Sequence, residues 1–257
     1  MLIVKAVPLT PTSLWPPLVP AFLALPRTVV KMGRQVASMV LLAAIMSSVG
    51  GVTLDDVCTT SYVAAHLPAS GYYDDYSLNV NADSVTANSV SKYTVGPVDS
   101  PFYPAASFDY CNVTFTYSHG GLNDSVLLTF WLPTPDDFQN RYLFTGGGGY
   151  AINSQLQSLP GGVMYGAVAS QTDGGFGQYQ TNAIDTFLVE NGTIDWHNVY
   201  MFGYNAIREQ SLLGREFSKL FFNLTDSEKL YKYYQVSIVV TAPDILIESP
   251  VSKETRC

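Results

Sequence analysis

Cysteine is scarce: the 257-residue chain has three, Cys58, Cys111 and Cys257. That excludes a disulfide-dense scaffold, and no C-x-x-C or H-x-x-x-H spacing offers a metal site, so no metal is expected. Charge is also scarce, at 13% of residues against 47% hydrophobic, which excludes a disordered chain. No acidic residue precedes Asp55. From there on 9 basic residues face 21 acidic ones, a net charge of −12. An acidic body repels phosphates, so nucleic acid is excluded as a partner. No G-K-[ST] follows the glycine run, which excludes a phosphate-cradling P-loop. No apolar run is long enough for a stable membrane insertion.

What is present begins with the N-terminal extension. Residues 1–31 carry Pro8, Pro11, Pro16, Pro17, Pro20 and Pro26, which break any long helix. Met32-Gly33-Arg34-Gln35 then leads into an apolar run, Val36 to Met46, with small residues after it. That is signal-peptide patterning over 32–51, so Met32 reads as a second start and 1–31 as an upstream extension. The competing reading is an N-terminal anchor. Four N-x-S/T sequons, at Asn112, Asn123, Asn191 and Asn223, agree with export and glycosylation. The expected location is extracellular. In an exported chain Cys58 and Cys111 form a disulfide or stay as two buried thiols, and Cys257 is left over.

The pattern along the chain alternates. Residues 59–108 read as loops and short elements, with a helical turn at Ser61–His66. Asn112–Tyr117 and Ser125–Leu132 read as a hairpin around His119–Asp124. Arg141–Thr145 is a third strand, and it runs into Gly146–Gly149. Val163–Ala169 is a fourth, followed by Thr172-Asp173-Gly174-Gly175. Glycines after a strand let backbone approach a ligand closely, and ligands gather at the carboxyl ends of strands in α/β folds. Asp173 either lines that site or orders its turn as an Asx-turn. From Asn198, the candidate N-cap, to Phe222 the period is helical. Tyr200, Tyr204, Ile207 and Phe217 fall near its inner face, and Arg208, Glu209 and Arg215 outside it. Tyr231–Gln235 is another strand. His66, His119 and His197 do not cluster in sequence and read as surface or capping residues.

Six pieces, in this order and spacing, resemble the N-terminal half of the fungal tannase and feruloyl esterase family over about residues 58–235. They are Tyr110-Cys111-Asn112-Val113-Thr114, Asn140-Arg141-Tyr142, Gly146–Gly149, Tyr165-Gly166-Ala167-Val168, Thr172-Asp173-Gly174-Gly175 and Asn191-Gly192-Thr193-Ile194-Asp195-Trp196. The resemblance implies an α/β fold, the N-terminal part of an α/β-hydrolase with an incomplete sheet across 52–235. It implies a serine-type carboxylic ester hydrolase acting on small aromatic esters. It makes Gly147 and Gly148 the candidate oxyanion-hole donors.

The resemblance stops at Gln235. In the family a Gly-Cys-Ser-x-Gly-Gly elbow would follow, with the catalytic Asp and His and a calcium-binding lid beyond it. Here no G-x-S-x-G-like motif follows the helix, and Ser237 has no flanking glycines to permit the strained turn. Residues 236–257 read as a non-homologous tail. The Val236-Ser237 codons are compatible with GTAAGT, a splice-site sequence, so translated intron is one reading and a truncated gene the other. The expectation is a chain without catalytic residues, inactive by itself. The alternative function is a secreted non-catalytic binding protein, for which a soluble, cooperatively melting product would speak.

Overall fold

The computed structural model describes residues 51–73, 76–96, 103–177, 183–189, 192–236 and 253–254. The upstream extension, the signal-peptide run, Asn191, Ser237, Cys257 and nearly all of the tail lie outside the described residues.

One mixed sheet organises the rest. Its strands are β1 (Gly71–Tyr73), β2 (Tyr76–Val95), β3 (Ala106–His119), β4 (Val126–Pro133), β5 (Arg141–Thr145), β6 (Ala167–Thr172), β7 (Tyr231–Gln235) and β8 (Lys253–Glu254). Their spatial order is β1-β2-β3-β4-β6-β5-β7-β8. The first four form an antiparallel meander, and β5 lies parallel to both β6 and β7. The helices are α1 (Leu54–Val57), α2 (Thr60–Ala65), α3 (Pro160–Val163), α4 (Ala183–Phe187), α5 (Trp196–Tyr200) and α6 (Ala206–Phe221). The expected hairpin, β5 and β7 are all present, the last two with the expected bounds.

Two expectations about elements fail. Residues 59–108 are not mainly loops: β2 alone has 20 residues and pairs along β3. Its buried and half-buried residues Leu78 and Val80, Val85 and Ala87, and Tyr93 and Val95 alternate only in short pieces, because register shifts between Asn81 and Thr86 and between Val90 and Tyr93 break the period. The Asn, Ser and Thr between them hid the strand. The fourth strand also starts later than expected. Val163 closes α3, Gly166 takes φ +69°, and β6 begins at Ala167.

The core follows strict alternation in β3. Cys111, Val113, Phe115, Tyr117 and His119 point inward and are buried. They meet Leu128, Phe130 and Leu132 of β4 and Phe217 of α6, with Phe130 and Phe217 edge to face at 4.9 Å. The disulfide joins Cys58, just after α1, to Cys111 in mid-sheet. Cys111 pairs with Ser89 on one side and Leu132 on the other, so the N-terminal helices are tied to the third strand of the sheet.

Helix α6 packs on the Tyr142 face of β5 through a glycine. The Tyr142 hydroxyl donates to the Gln210 carbonyl at 2.7 Å and lies 2.8 Å from Ser170 Oγ, while Gln210 Nε2 donates to that same Oγ. Burial raises the Tyr142 pKa above its ordinary value. A Cβ on Gly214 would overlap the phenol oxygen. Gly214→Ala is therefore expected to lower unfolding free energy by about 1–3 kcal/mol despite alanine's better helix propensity. Urea denaturation against the parent chain measures it. A more stable variant would show that the contact is not tight.

Candidate active site

The glycine turn sits where the strand order reverses. The crossover from β5 through α3 lands on β6, on one side of β5. The crossover from β6 through α6 lands on β7, on the other. Carboxyl ends of strands at such a switch point form the crevice in which α/β folds bind ligands.

The turn is closed by its own backbone. Gly146 N–H donates to the Gln235 carbonyl at 2.8 Å, and Gly147 N–H to the Ile152 carbonyl at 3.0 Å. Ala151 N–H returns to the Gly148 carbonyl at 3.1 Å. A Cβ on Gly147 would overlap the Ala151 backbone, so only glycine fits there. The Gly147 donor expected to face an oxyanion is thus committed to the loop in this structure. The Gly148 N–H makes no hydrogen bond among the described residues, and Gly148 is half-buried. Ser154 and Asn153 hold the turn from beneath, donating to the Gly146 carbonyl at 2.9 Å and the Thr172 carbonyl at 2.7 Å.

Aromatic side chains wall one side. Tyr150, 63% exposed, stacks with Phe202 at 6.4 Å, and Phe202 meets Phe187 edge to face at 5.2 Å. Phe187 in turn meets Phe176, in the turn after β6. A separate cavity of about 330 Å³ lies on the α3 face of the sheet, lined by Arg141, Leu143, Gly162, Tyr233 and Gln235. Its described lining residues include no serine or cysteine.

Asp173 orders its turn. Its Oδ1 accepts from Leu127 N–H and Gly175 N–H, both at 2.8 Å, and its own N–H donates to the Leu127 carbonyl. The Gly175 bond makes the Asx-turn, and the Leu127 bond fastens the end of β6 to the start of β4. Burial raises its pKa, against the pull of those N–H groups.

The histidines depart from expectation. His66 does cap: its Nδ1 lies 2.7 Å from the Tyr62 carbonyl, and its ring stacks on Tyr62. His119 and His197, expected apart and at the surface, have ring centres 5.3 Å apart. His119 is buried between two carboxylates, with Nδ1 on Asp124 Oδ2 and Nε2 3.0 Å from Glu209 Oε1. His197 Nε2 lies 3.3 Å from the same Asp124 oxygen. Tyr117 hydroxyl donates to Glu209 Oε2 at 2.7 Å, and burial raises its pKa.

Helical phasing explains why Glu209 was expected outside. Asp195, not Asn198, is the N-cap, and its side chain accepts from Asn198 N–H. A π turn, Met201–Asn205, then links α5 to α6. His197 and Glu209 are twelve residues apart. Twelve α-helical steps of about 100° leave them about 120° out of phase; the extra residue in a π turn reduces that to about 20°. The buried row runs Met201, Asn205, Glu209, Leu213, Phe217, Phe221, and Tyr200 and Tyr204 face solvent.

This network gives stability a pH dependence. Burial alone would lower the His119 pKa; Glu209 and Asp124 more than reverse it, raising it to about 9. A raised folded-state value stabilises fully below the unfolded value of about 6.5. That contribution is lost as pH rises through about 9. Asp124, lowered despite burial by the His119 backbone N–H and ring, contributes above its unfolded value and loses it in acid. Urea midpoints are expected to fall from pH 6.5 to pH 9.5 in the parent, with a flatter profile in His119→Gln. An unchanged parent midpoint would show that His119 is not charged.

His119, Asp124 and His197 are the one grouping of potential ligands found among the described residues, with ligand atoms within 4.8 Å of one another. Two imidazoles do not suit calcium, which takes oxygen ligands, so these residues do not fit the calcium the resemblance implies. No helix of the described residues is long and apolar enough to cross a membrane.

Comparison with known proteins converges on one family. Residues 111–237 match the family profile described as "Tannase and feruloyl esterase". The chain is 36% identical over 198 residues to a tannase of Aspergillus oryzae, covering 77% of this chain and 32% of that protein. It is 30% identical over 123 residues to a probable feruloyl esterase of Arthroderma benhamiae, covering 48% of this chain and 23% of that protein. Tannin acyl hydrolase from Aspergillus niger superposes with a TM-score of 0.67 at 52% identity, covering 72% of this chain and 33% of that one. The chain therefore spans a quarter to a third of the curated relatives it matches. Over that span it belongs to the tannase and feruloyl esterase family and carries the N-terminal portion of that family's α/β-hydrolase fold.

Proposed function

We propose that this sequence encodes the oxyanion side of an exported serine-type carboxylic ester hydrolase acting on small aromatic esters. The observation that carries the reading is the glycine turn at the switch point, with the Gly148 N–H unengaged among the described residues. In acyl transfer a serine oxygen attacks the ester carbonyl, and the carbonyl oxygen becomes negative. A fixed N–H aimed at that oxygen lowers the barrier by about 3–4 kcal/mol. Gly147 keeps the loop in the shape that presents its neighbour, and Gly148 supplies the donor. The aromatic wall of Tyr150 and Phe202 is suited to the ring of an aromatic ester.

The nucleophile, its histidine and its acid are not among residues 1–257 in recognisable form, so these residues alone are expected not to turn over. Export is supported by the 32–51 pattern and the sequons. Among those, Asn123 and Asn223 are exposed, while Asn112 lies in mid-strand with its Oδ1 buried, so Asn123 and Asn223 are the better acceptors.

The test starts with cDNA across the codons for Gln235 and Val236, followed by expression of the product it encodes. Methyl gallate and methyl ferulate are the probes. A transcript that continues into a Gly-x-Ser-x-Gly elbow is expected to give a hydrolase, and the 257-residue chain to give none. Hydrolysis by the 257-residue chain would overturn the absence of a nucleophile. An elbow-bearing product inert on both esters would overturn the esterase reading.

A further inference from the structure

We propose that His119, Asp124 and His197 bind a divalent transition-metal ion of the zinc class, clamping the β3–β4 turn to the start of α5. This site is independent of the esterase reading.

The donor set is two imidazoles and one carboxylate, the mixture that selects zinc-like ions over calcium or magnesium. The ligands come from two separate parts of the chain. The turn returns Asp124 to His119, whose backbone N–H donates to Asp124 Oδ1 at 2.9 Å, which leaves Oδ2 facing both rings. His197 arrives from α5. The outer shell is already built: the far nitrogen of His119 lies against Glu209, and the other oxygen of Glu209 is held by Tyr117. A carboxylate behind a ligating histidine is the arrangement that fixes ring orientation and tautomer in metal sites.

Access is graded. The His119 side chain is 6% exposed, Asp124 17% and His197 34%. An ion therefore enters from the His197 side, and the open side leaves room for a water as fourth ligand. A tetrahedral ion with bonds near 2 Å requires ligand atoms about 3.4 Å apart. His197 Nε2 and Asp124 Oδ2 are already 3.3 Å apart. The His119–Asp124 contact, a hydrogen-bonded distance shorter than this, opens to admit the ion, and the His119–His197 spacing, within 4.8 Å, closes by an inward swing of His197, the most exposed of the three. Binding at the His119 nitrogen releases the proton it shares with Asp124, so affinity rises with pH.

The purified 257-residue chain, stripped with EDTA, is titrated with Zn²⁺ and separately with Ca²⁺, following melting temperature and calorimetric heat. One Zn²⁺ per chain, a raised melting temperature reversed by EDTA, and no response to Ca²⁺ are expected. Visible absorption of the Co²⁺-loaded parent reports the nitrogen and oxygen ligands without any substitution. His197→Gln, at a part-exposed position, is expected to weaken Zn²⁺ binding at least tenfold, and His66→Gln to leave it unchanged. Zn²⁺ binding weaker than about 100 µM, an equal response to Ca²⁺, or a His197→Gln chain that binds like the parent would each overturn the site. The cluster would then be an ion network alone.

Discussion

Glu209→Ala is expected to cost about 3–5 kcal/mol of stability, because it removes one partner from a buried, hydrogen-bonded charge pair. Glu209 is 1% exposed and holds two groups at once, the His119 ring and the Tyr117 hydroxyl. Deleting it leaves both without that acceptor in a low-dielectric interior, and a buried group stripped of its partner bears its full desolvation penalty. Glu209→Gln keeps an acceptor and loses only the charge, so it should fall between parent and alanine variant. Replacing both His119 and Glu209 by leucine removes the charges together. That double variant is expected to recover only part of the loss: apolar substitutes for a buried pair are often neutral, but the Tyr117 hydroxyl and Asp124 each lose a partner. Urea unfolding of the parent, His119→Leu, Glu209→Leu and the double variant closes the cycle. A cost under about 1 kcal/mol for Glu209→Ala would place the pair with weak, solvated ion pairs instead.

The second large effect is expected at the disulfide. Cys58 and Cys111 are 53 residues apart, and a cross-link closing a loop of that length stabilises by about 4 kcal/mol in the chain-entropy model. Cys58→Ala should therefore lower stability by about 2–5 kcal/mol. Dithiothreitol should shift the parent by a similar amount and leave the variant unmoved. The sheet itself should survive, because Cys111 keeps its pairing with β2 and β4. What loosens is the Val57–Val63 packing of α1 and α2 against the core. Equal melting of parent and variant under oxidising conditions would show that the cross-link closes nothing the folded sheet does not already hold.

Sequence patterning revealed the elements whose burial is one-sided and regular. β5 and β7 are short, aromatic-rich and flanked by turn residues, so their limits were readable. β2 was not, because two register shifts break its apolar alternation into pieces too short to read. The site was half-readable. Glycines after a strand marked the turn, but which N–H stays free depends on Ile152 accepting from Gly147, a contact no local pattern encodes. The histidine network was readable in principle. Cys111, Val113, Phe115 and Tyr117 alternate inward, and the next member of that series is His119. Met201, Asn205, Glu209, Leu213 and Phe217 form a row of every fourth residue that includes one acid. An imidazole and a carboxylate each in phase with a core predict each other. Anchoring the helix at Asn198 and Tyr200 without its π turn rotated that acid out of view.

The order of the strands also sets a timetable for synthesis. β2, β3 and β4 pair with their sequence neighbours as soon as each hairpin leaves the ribosome. β5 does not: Arg141 finds its partner Tyr231 only about 90 residues later. At the usual 5–20 residues per second, one edge of β5 stays open for roughly 5–18 s in every nascent chain. That edge carries Leu143 and Phe144, an apolar template of the kind that recruits foreign strands. Yield on expression should therefore depend on translation speed and chaperone supply between residues 145 and 231 more than on the final stability of the folded sheet.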